Sequence, residues 1–557
     1  MAKIWYKMRS WLISKKKSLM TTLVDIQNLT VSFGKTTAVR DVSFKIKQGE
    51  IVCLVGESGS GKSVSALALM GLLPDVATKQ AKKIEFDGKD LMNLSQSEFR
   101  KLRGREMSMI FQEPMTSLNP VFKVGEQVAE VLAIHTDMNA AERKARVIEL
   151  FKTVRIDNPE RRYHAYPNQM SGGQRQRVMI AMALAMNTKL LIADEPTTAL
   201  DVTVQGEILK LLKELQKKFK LSVLFITHDF GVVEALGDRV VVMQHGNVME
   251  EGTVKSVMSK PKDAYTKKLL AAMPKFKPHA PFKGKKNALL KVTDMRKVFN
   301  VRKGGLFSKP EVFEALKGVS FEMYKGETLG VVGESGCGKS TLARCIIGLY
   351  QPDGGEAIFK GENIATQKGK GLKETRRHMQ MVFQDPFSSL NPRMRIGESV
   401  AEGLRAHNIM PAAERETFVK QLLKDCGLPE DSYDRYPHQF SGGQRQRICI
   451  ARALSLKPDL IIADEPVSAL DVSVQKQILA LFQDLKKKYN LSYVFISHDL
   501  RVVSEICERV LVMQGGEIVE QGNTKDVFLK PKHAYTKHLL SSIPGTIGKT
   551  SSGKKAS

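Results

Sequence analysis

Short runs of consecutive apolar residues alternate along this chain with longer stretches in which apolar positions recur three and four apart. The runs "IVCLVG" (51–56), "LLIAD" (190–194) and "VLFITH" (223–228) are strand-length and apolar at nearly every position, the pattern of strands buried on both faces. Amphipathic stretches follow them, one beginning near Val204, and read as helices. The same succession returns as "TLGVVG" (328–333), "LIIAD" (460–464) and "YVFISH" (493–498), with a second helix from about Val474. Such alternation predicts a largely parallel sheet covered by helices, formed twice.

The repetition extends to long stretches of identity. "QMSGGQRQRVMIAMALAMNTKLLIADEPTTALDVTVQ" (169–205) recurs as "QFSGGQRQRICIARALSLKPDLIIADEPVSALDVSVQ" (439–475), and "MIFQEPMTSLNP" recurs as "MVFQDPFSSLNP". The offset is 277 between Lys62 and Lys339, 272 between Gln112 and Gln384, and 270 between Ser171 and Ser441. A drifting offset marks loop insertions in a duplicated domain, not a short solenoid repeat. The expected boundaries are a basic extension over 1–21, a first domain over 22–274, a linker rich in Pro, Gly and Lys over 275–288, a second domain over 289–545 and a tail over 546–557.

Length agrees with this division, because 557 residues exceed one hydrophobic core. No apolar run approaches the roughly eighteen residues a spanning helix needs, so the chain is not expected to form a membrane channel itself. The net charge of +27 favours a polyanionic partner: nucleic acid, phospholipid or nucleotide. Part of it lies in the first twenty residues, which hold six Lys/Arg, no acid and both tryptophans. Contact with an anionic lipid surface, a disordered tail, or translation starting at Met20 all fit that segment. The six cysteines show no CxxC or other metal-ligand spacing and read as packed, reduced thiols. Cys337 stands inside a glycine-rich loop where oxidation is conceivable, but its counterpart is Ser60.

The candidate chemistry is also duplicated. "GESGSGKS" (Gly56, Glu57, Ser58, Gly59, Ser60, Gly61, Lys62, Ser63) and "GESGCGKS" (Gly333, Glu334, Ser335, Gly336, Cys337, Gly338, Lys339, Ser340) both fit G-x-x-x-x-G-K-[ST] between a strand and a helix. Backbone N–H groups of such a turn cradle phosphates, the lysine reaches the β- and γ-phosphates, and the last serine is a Mg²⁺ ligand. Asp194 and Glu195, like Asp464 and Glu465, end buried-type strands, where paired acids demand a positive partner. Asp194 and Asp464 are expected in the Mg²⁺ shell, and Glu195 and Glu465 as polarisers of an attacking water; helix N-capping by the Asp is the plainer alternative. His228 and His498 end the next strands and fit a γ-phosphate contact, although either alone reads as a satisfied strand-end polar group. Gln112 and Gln384 follow strand-like segments and fit contact with both Mg²⁺ and the water. Ser171, Gly172, Gly173 and Gln174, with Ser441, Gly442, Gly443 and Gln444, open apolar helices and would form a second N–H nest in each half.

From about Leu23 to Pro544 this set of motifs resembles an ATP-binding-cassette (ABC) ATPase with two nucleotide-binding domains. The resemblance implies two tandem P-loop NTPase domains, each a RecA-like, mostly parallel sheet with an antiparallel β-subdomain and an inserted α-helical subdomain. It implies head-to-tail pairing of the halves, with Lys62 working opposite Ser441 and Lys339 opposite Ser171. It makes Phe33 and Phe299 the adenine-stacking aromatics, where strand-core phenylalanines are the alternative, and assigns Asp201 ("TALD") and Asp471 ("SALD") to the loop linking the two sites. Neither half has lost a catalytic residue, so two competent ATP sites are expected.

"FQEP–TSLNP", "YPNQMSGGQRQR", "YPHQFSGGQRQR" and the closing "AYTKKLL" and "AYTKHLL" are similar to the oligopeptide, dipeptide and nickel importer ATPases, and the fusion resembles single-chain microcin-type peptide-uptake ATPases. That likeness implies ATP and Mg²⁺ as ligands, two separate membrane permeases, an extracellular substrate-binding protein, and a peripheral place on the cytoplasmic membrane face. Many such relatives carry a cysteine cluster after the closing helix; neither copy has cysteines there, so no iron–sulfur cluster is expected. Import of nickel or another small solute is the nearer alternative. A soluble twin-cassette protein acting on ribosomes or nucleic acid is the further one, disfavoured by the short linker and by the lack of zinc-finger cysteines. No nucleic-acid partner is expected.

Overall fold

The computed structural model describes residues 21–112, 117–186, 188–197, 200–274, 276–285, 287–301, 311–468 and 470–543. The basic extension before Thr21 and the tail from 546 lie outside the described residues. Among the described residues, contacts divide the chain into two units: residues 21–200 with 204–273, and residues 274–543 with Asp201–Thr203.

In the first unit six strands run in the order Asn247–Thr253, Arg239–Gln244, Ile51–Val55, Ser222–Thr227, Leu190–Asp194, Met107–Ile110. All neighbours are parallel except the first pair. Ile51–Val55 is buried at all five positions because the sheet is covered on both faces. Ile51, Cys53 and Val55 join a core shared with the helices Val124–His135, Ala140–Thr153 and Gly172–Ala183. Val52 and Leu54 point the other way, into a core shared with an antiparallel sheet built on Thr22–Phe33 and Thr36–Lys47. The Val, Leu and Ile side chains among them each contribute about 1.5–3 kcal/mol by leaving water.

The second unit repeats the plan. Its six-stranded sheet runs Met379–Val382, Leu460–Asp464, Ser492–Ile496, Thr328–Val332, Arg509–Gln514, Glu517–Asn523, again parallel but for the last pair. An antiparallel sheet is built on Ala288–Val301 and Glu311–Tyr324, and the helices Ile396–Ala406, Ala412–Asp425 and Gly442–Leu454 pack on the other face. The predicted architecture of parallel sheet, antiparallel subdomain and helical subdomain is therefore present in each unit.

Residues 276–285 form neither helix nor strand, yet they pack on the second unit. Phe276 stacks on Phe528 with ring centres 5.7 Å apart, Phe282 stacks on Tyr324 at 6.1 Å, and the His279 N–H donates to the Ser504 carbonyl at 2.7 Å. Among the described residues, no helix is long and apolar enough to cross a membrane.

Candidate functional site

In each unit the site stands at the carboxyl ends of the parallel strands. The loop after Ile51–Val55 turns at Gly61, whose φ of +97° is open to glycine; a Cβ there would also sit 2.7 Å from the Ala38 carbonyl oxygen. Gly338 repeats this with φ of +106° and 2.6 Å to the Ala315 oxygen. Lys62 opens the next helix and donates from Nζ to the carbonyls of Gly56 and Glu57, both at 2.8 Å, and to Ser60 Oγ at 3.3 Å. Lys339 donates to Gly333 and Glu334 at 2.7 and 2.8 Å, with Cys337 Sγ at 3.9 Å in place of the hydroxyl. Both ammonium groups are thus curled into their own loops and almost wholly buried.

Beside each loop a serine meets the strand-end aspartate. Ser63 Oγ donates to Asp194 Oδ1 and Ser340 Oγ to Asp464 Oδ1, each at 3.0 Å. Burial pushes the Asp194 carboxyl above its ordinary range; the Ser63 hydrogen bond and Lys62 pull it down, but the Glu195 charge adds to the rise. Asp464 is raised in the same way, by burial first. A half-buried hydroxyl and a buried carboxylate are hard oxygen donors, and they fit Mg²⁺.

The neighbouring glutamates are held differently. Glu195 and Glu465 sit at φ of +44° and +47°, left-handed backbone that costs a non-glycine residue on the order of 1–2 kcal/mol. The strand ladder sustains it: their N–H groups donate to the carbonyls of Ile226 and Ile496, both at 3.0 Å. The twist aims each carboxylate at two partners. Gln112 Nε2 donates to Glu195 Oε2 at 3.1 Å, and His228 Nδ1 lies 3.4 Å from the same oxygen. Gln384 Nε2 and His498 Nδ1 each lie 3.1 Å from Glu465 Oε2. Burial raises the Glu465 carboxyl, but the His498 hydrogen bond and charge, Lys339 and Ser468 outweigh it, leaving it below its usual range. His498 is raised in turn: burial lowers it, and the bond to Glu465 together with the charges of Glu465, Asp499 and Asp201 more than offsets that.

The structure therefore brings together Lys62, Ser63, Gln112, Asp194, Glu195 and His228 in one unit and their six counterparts in the other. The two SGGQ segments open the helices Gly172–Ala183 and Gly442–Leu454. There Ser171 Oγ accepts from the Gln174 N–H and the Gln174 side chain accepts from the Ser171 N–H; Ser441 and Gln444 repeat this capping box. Gly172 and Gly173 have different surroundings. A Cβ on Gly173 would lie 2.6 Å from Val204 Cγ1, whereas on Gly172 its nearest neighbour would be Leu200 at 3.4 Å. Phe33 ends its strand half-buried against the core, and Phe299 meets the edge of Tyr350 at 5.6 Å. Asp201 and Asp471 immediately precede the helices Val202–Phe219 and Val472–Tyr489.

Sequence reasoning gave no role to two tyrosines. Tyr265 and Tyr535, in the closing "AYTK" segments, are buried with their hydroxyls on the phosphate-loop amides of Glu57 and Glu334, at 3.3 and 3.0 Å. Duplication of the segment was the available signal.

Fold and site define an ABC transporter ATPase, and comparison with known proteins agrees. The ABC transporter family model matches residues 39–198 and 316–468, together more than half of the chain. A peptidoglycan transport ATP-binding protein, YejF, of Agrobacterium fabrum is 47% identical over 532 residues, covering 94% of this chain and 97% of that protein. The glutathione import ATP-binding protein GsiA of Escherichia coli (strain K12) is 45% identical over 554 residues, covering 93% and 89%. The chain belongs to the ABC transporter ATP-binding family and is an ATPase with two cassettes. Within that family it carries, twice, the oligopeptide/dipeptide transporter C-terminal region, at residues 249–302 and 519–555.

Proposed function

We propose that this chain is the ATP-hydrolysing subunit of an importer for peptides of the oligopeptide, dipeptide or glutathione kind, working with two membrane permeases and a substrate-binding protein on the cytoplasmic face of a membrane. The cassettes are taken as residues 22–274 and 289–545, joined by 275–288. Support for the transport class comes from the duplicated C-terminal region and from relatives whose names record peptidoglycan transport and glutathione import over nearly the whole chain.

The observation that carries the hydrolytic reading is the convergence of Gln112 and His228 on Glu195 Oε2, repeated by Gln384 and His498 on Glu465. In each half the glycine loop and Lys62 or Lys339 bind the β- and γ-phosphates of ATP. Ser63, Gln112 and Asp194, with Ser340, Gln384 and Asp464, hold a Mg²⁺ ion, whose chemistry there is to neutralise charge on phosphoryl oxygens. Glu195 and Glu465 orient and polarise the attacking water, and the histidines hold those carboxylates and contact the γ-phosphate. Ser171 to Gln174 and Ser441 to Gln444 complete the nucleotide site of the opposite half, Phe33 and Phe299 stack on adenine, and Asp201 and Asp471 link the two sites. ATP favours the paired state and hydrolysis releases it, a population shift transmitted to the permeases.

Uptake tests this reading. Cells lacking the chain, complemented with wild type or with Glu195→Gln/Glu465→Gln, are given labelled dipeptide, oligopeptide, glutathione and Ni²⁺. Peptide or glutathione uptake restored by wild type alone is expected. Restoration of Ni²⁺ uptake only, or of none, overturns it.

A further inference from the structure

The segments that follow the two parallel sheets share a device that the proposed hydrolytic cycle does not use. In the first unit the Glu250 carboxylate, on the edge strand Asn247–Thr253, accepts the N–H groups of Lys262 and Asp263 at 2.9 and 3.1 Å. Asp263 then caps the helix Ala264–Ala272, accepting from the Tyr265 and Thr266 N–H groups. Tyr265 projects from the first turn of that helix to the phosphate loop. Its hydroxyl accepts the Glu57 N–H and donates to the Glu57 carboxylate, both at 3.3 Å.

The second unit reproduces the chain of contacts with different residues. Glu520 accepts from Lys532 and His533 at 2.9 and 3.0 Å, His533 caps Ala534–Ser541, and the Tyr535 hydroxyl accepts the Glu334 N–H at 3.0 Å. The capping residue has changed from aspartate to histidine while the tyrosine and the bond it makes have stayed. Packing alone would be served as well by phenylalanine at two nearly inaccessible positions; a hydroxyl that reaches a loop amide in both copies answers a polar need.

That need has a local cause. Glu57 and Glu334 are the second residues of the two glycine loops, and their carbonyls already accept the buried Lys62 and Lys339. The tyrosine therefore holds the N–H of the very peptide unit, Gly56–Glu57 or Gly333–Glu334, whose carbonyl accepts the lysine. Withdrawing it removes the hydroxyl that meets this amide and loosens the entry of the loop, so more of the cradle must be ordered by the nucleotide itself.

We propose that Tyr265 and Tyr535 are positioning residues of the two phosphate loops, and that through them the segment after each sheet sets nucleotide affinity. This inference rests on the reading of those loops as the phosphate sites. The test uses the full chain carrying Tyr265→Phe, Tyr535→Phe or both, with ADP and ATP affinity measured by equilibrium competition against a fluorescent nucleotide, alongside steady-state ATPase and thermal unfolding. Loss of one such hydrogen bond predicts roughly a five-fold weaker Kd at the altered site. KM for ATP should rise with it, while kcat at saturating ATP stays close to wild type, because neither tyrosine touches the reacting atoms. Unchanged nucleotide affinity in the double Phe variant overturns the proposal, as does a fall in kcat and unfolding temperature with no change in Kd. Failure of the phosphate-site reading itself would show separately, as nucleotide binding indifferent to Lys62→Ala/Lys339→Ala.

Discussion

Ser63 Oγ and Asp194 Oδ1 lie 3.0 Å apart although 131 residues of chain separate them. Ser340 and Asp464 keep the same 3.0 Å across 124 residues. The first copy has seven more residues between the two positions, and the distance between the helix after the glycine loop and the end of the strand was kept. A hydroxyl and a buried acid at fixed separation are the oxygen pair on which the proposed Mg²⁺ site rests.

Asp194→Asn and Asp464→Asn test that site. Asparagine keeps an oxygen for the serine, so folding should change little, but the negative charge that burial already makes costly is gone. ATPase of the double variant should fall on the order of 10²-fold, and the Mg²⁺ concentration for half-maximal activity should rise. Titration of ATPase with MgCl₂ at fixed ATP measures both, and an unshifted Mg²⁺ midpoint would remove the aspartates from the metal shell.

The glutamates one residue later should behave differently. Glu195→Gln/Glu465→Gln keeps side-chain shape and hydrogen bonding while losing the charge that polarises water, so nucleotide binding should persist as turnover falls roughly 10²–10⁴-fold. Phosphate release and equilibrium binding on the same preparation separate the two effects. Undiminished turnover would disqualify these residues as the general bases.

The strands and glycine loops were legible because their signals are local: five apolar residues in a row, or a glycine pair ahead of Lys-Ser. Ser63 with Asp194 and Gln112 with Glu195 were legible as members of one site through their motifs, but not as contacts. What escaped depends on geometry that only the assembled sheet creates. Nothing in "ADEP" announces that Glu195 takes a left-handed backbone, since the ladder bond to Ile226 that sustains it comes from 31 residues downstream. Tyr265 was visible as part of a repeated segment and silent as a partner of Glu57, 208 residues away. The Pro- and Lys-rich stretch after the first domain was read by composition as a linker, and composition cannot show that Phe276 and Phe282 find aromatic partners on the following unit.

The paired glycines of the SGGQ turn illustrate the same limit and yield a third prediction. Both were read from sequence as openings for a phosphate. The structure gives Gly173 and Gly443 a packing reason as well, because an added methyl would press on Val204 at 2.6 Å or Val474 at 2.4 Å. Gly173→Ala should destabilise the protein by about 1–3 kcal/mol, the ordinary cost of overpacking, and Val204→Ala in the same chain should recover part of the loss. Gly172→Ala has room and should leave thermal stability nearly unchanged. Equal destabilisation by the two alanines, or no rescue by Val204→Ala, would contradict the packing argument.

The last prediction concerns the thiols. All six cysteines are buried and unpaired. Burial pushes the Cys53 and Cys426 thiols up to about 12 and those of Cys345 and Cys449 up to about 11, and it carries Cys507 well above the ordinary range. Cys337, inside the second glycine loop, is raised by the same burial, although Lys339 pulls against it. A thiol at 11 is ionised in roughly one molecule per thousand at pH 8, against about a quarter for an unperturbed one. Since the thiolate is the reactive species, the native protein should show almost no fast reaction with a disulfide reagent at that pH, and six equivalents once denaturant is added. Reading Cys337 as an oxidisable switch requires the opposite: one rapid equivalent in the native protein, abolished by Cys337→Ser. Because Cys337 Sγ lies against Lys339, such an equivalent would also mean that the loop opens in solution far enough to expose its lysine.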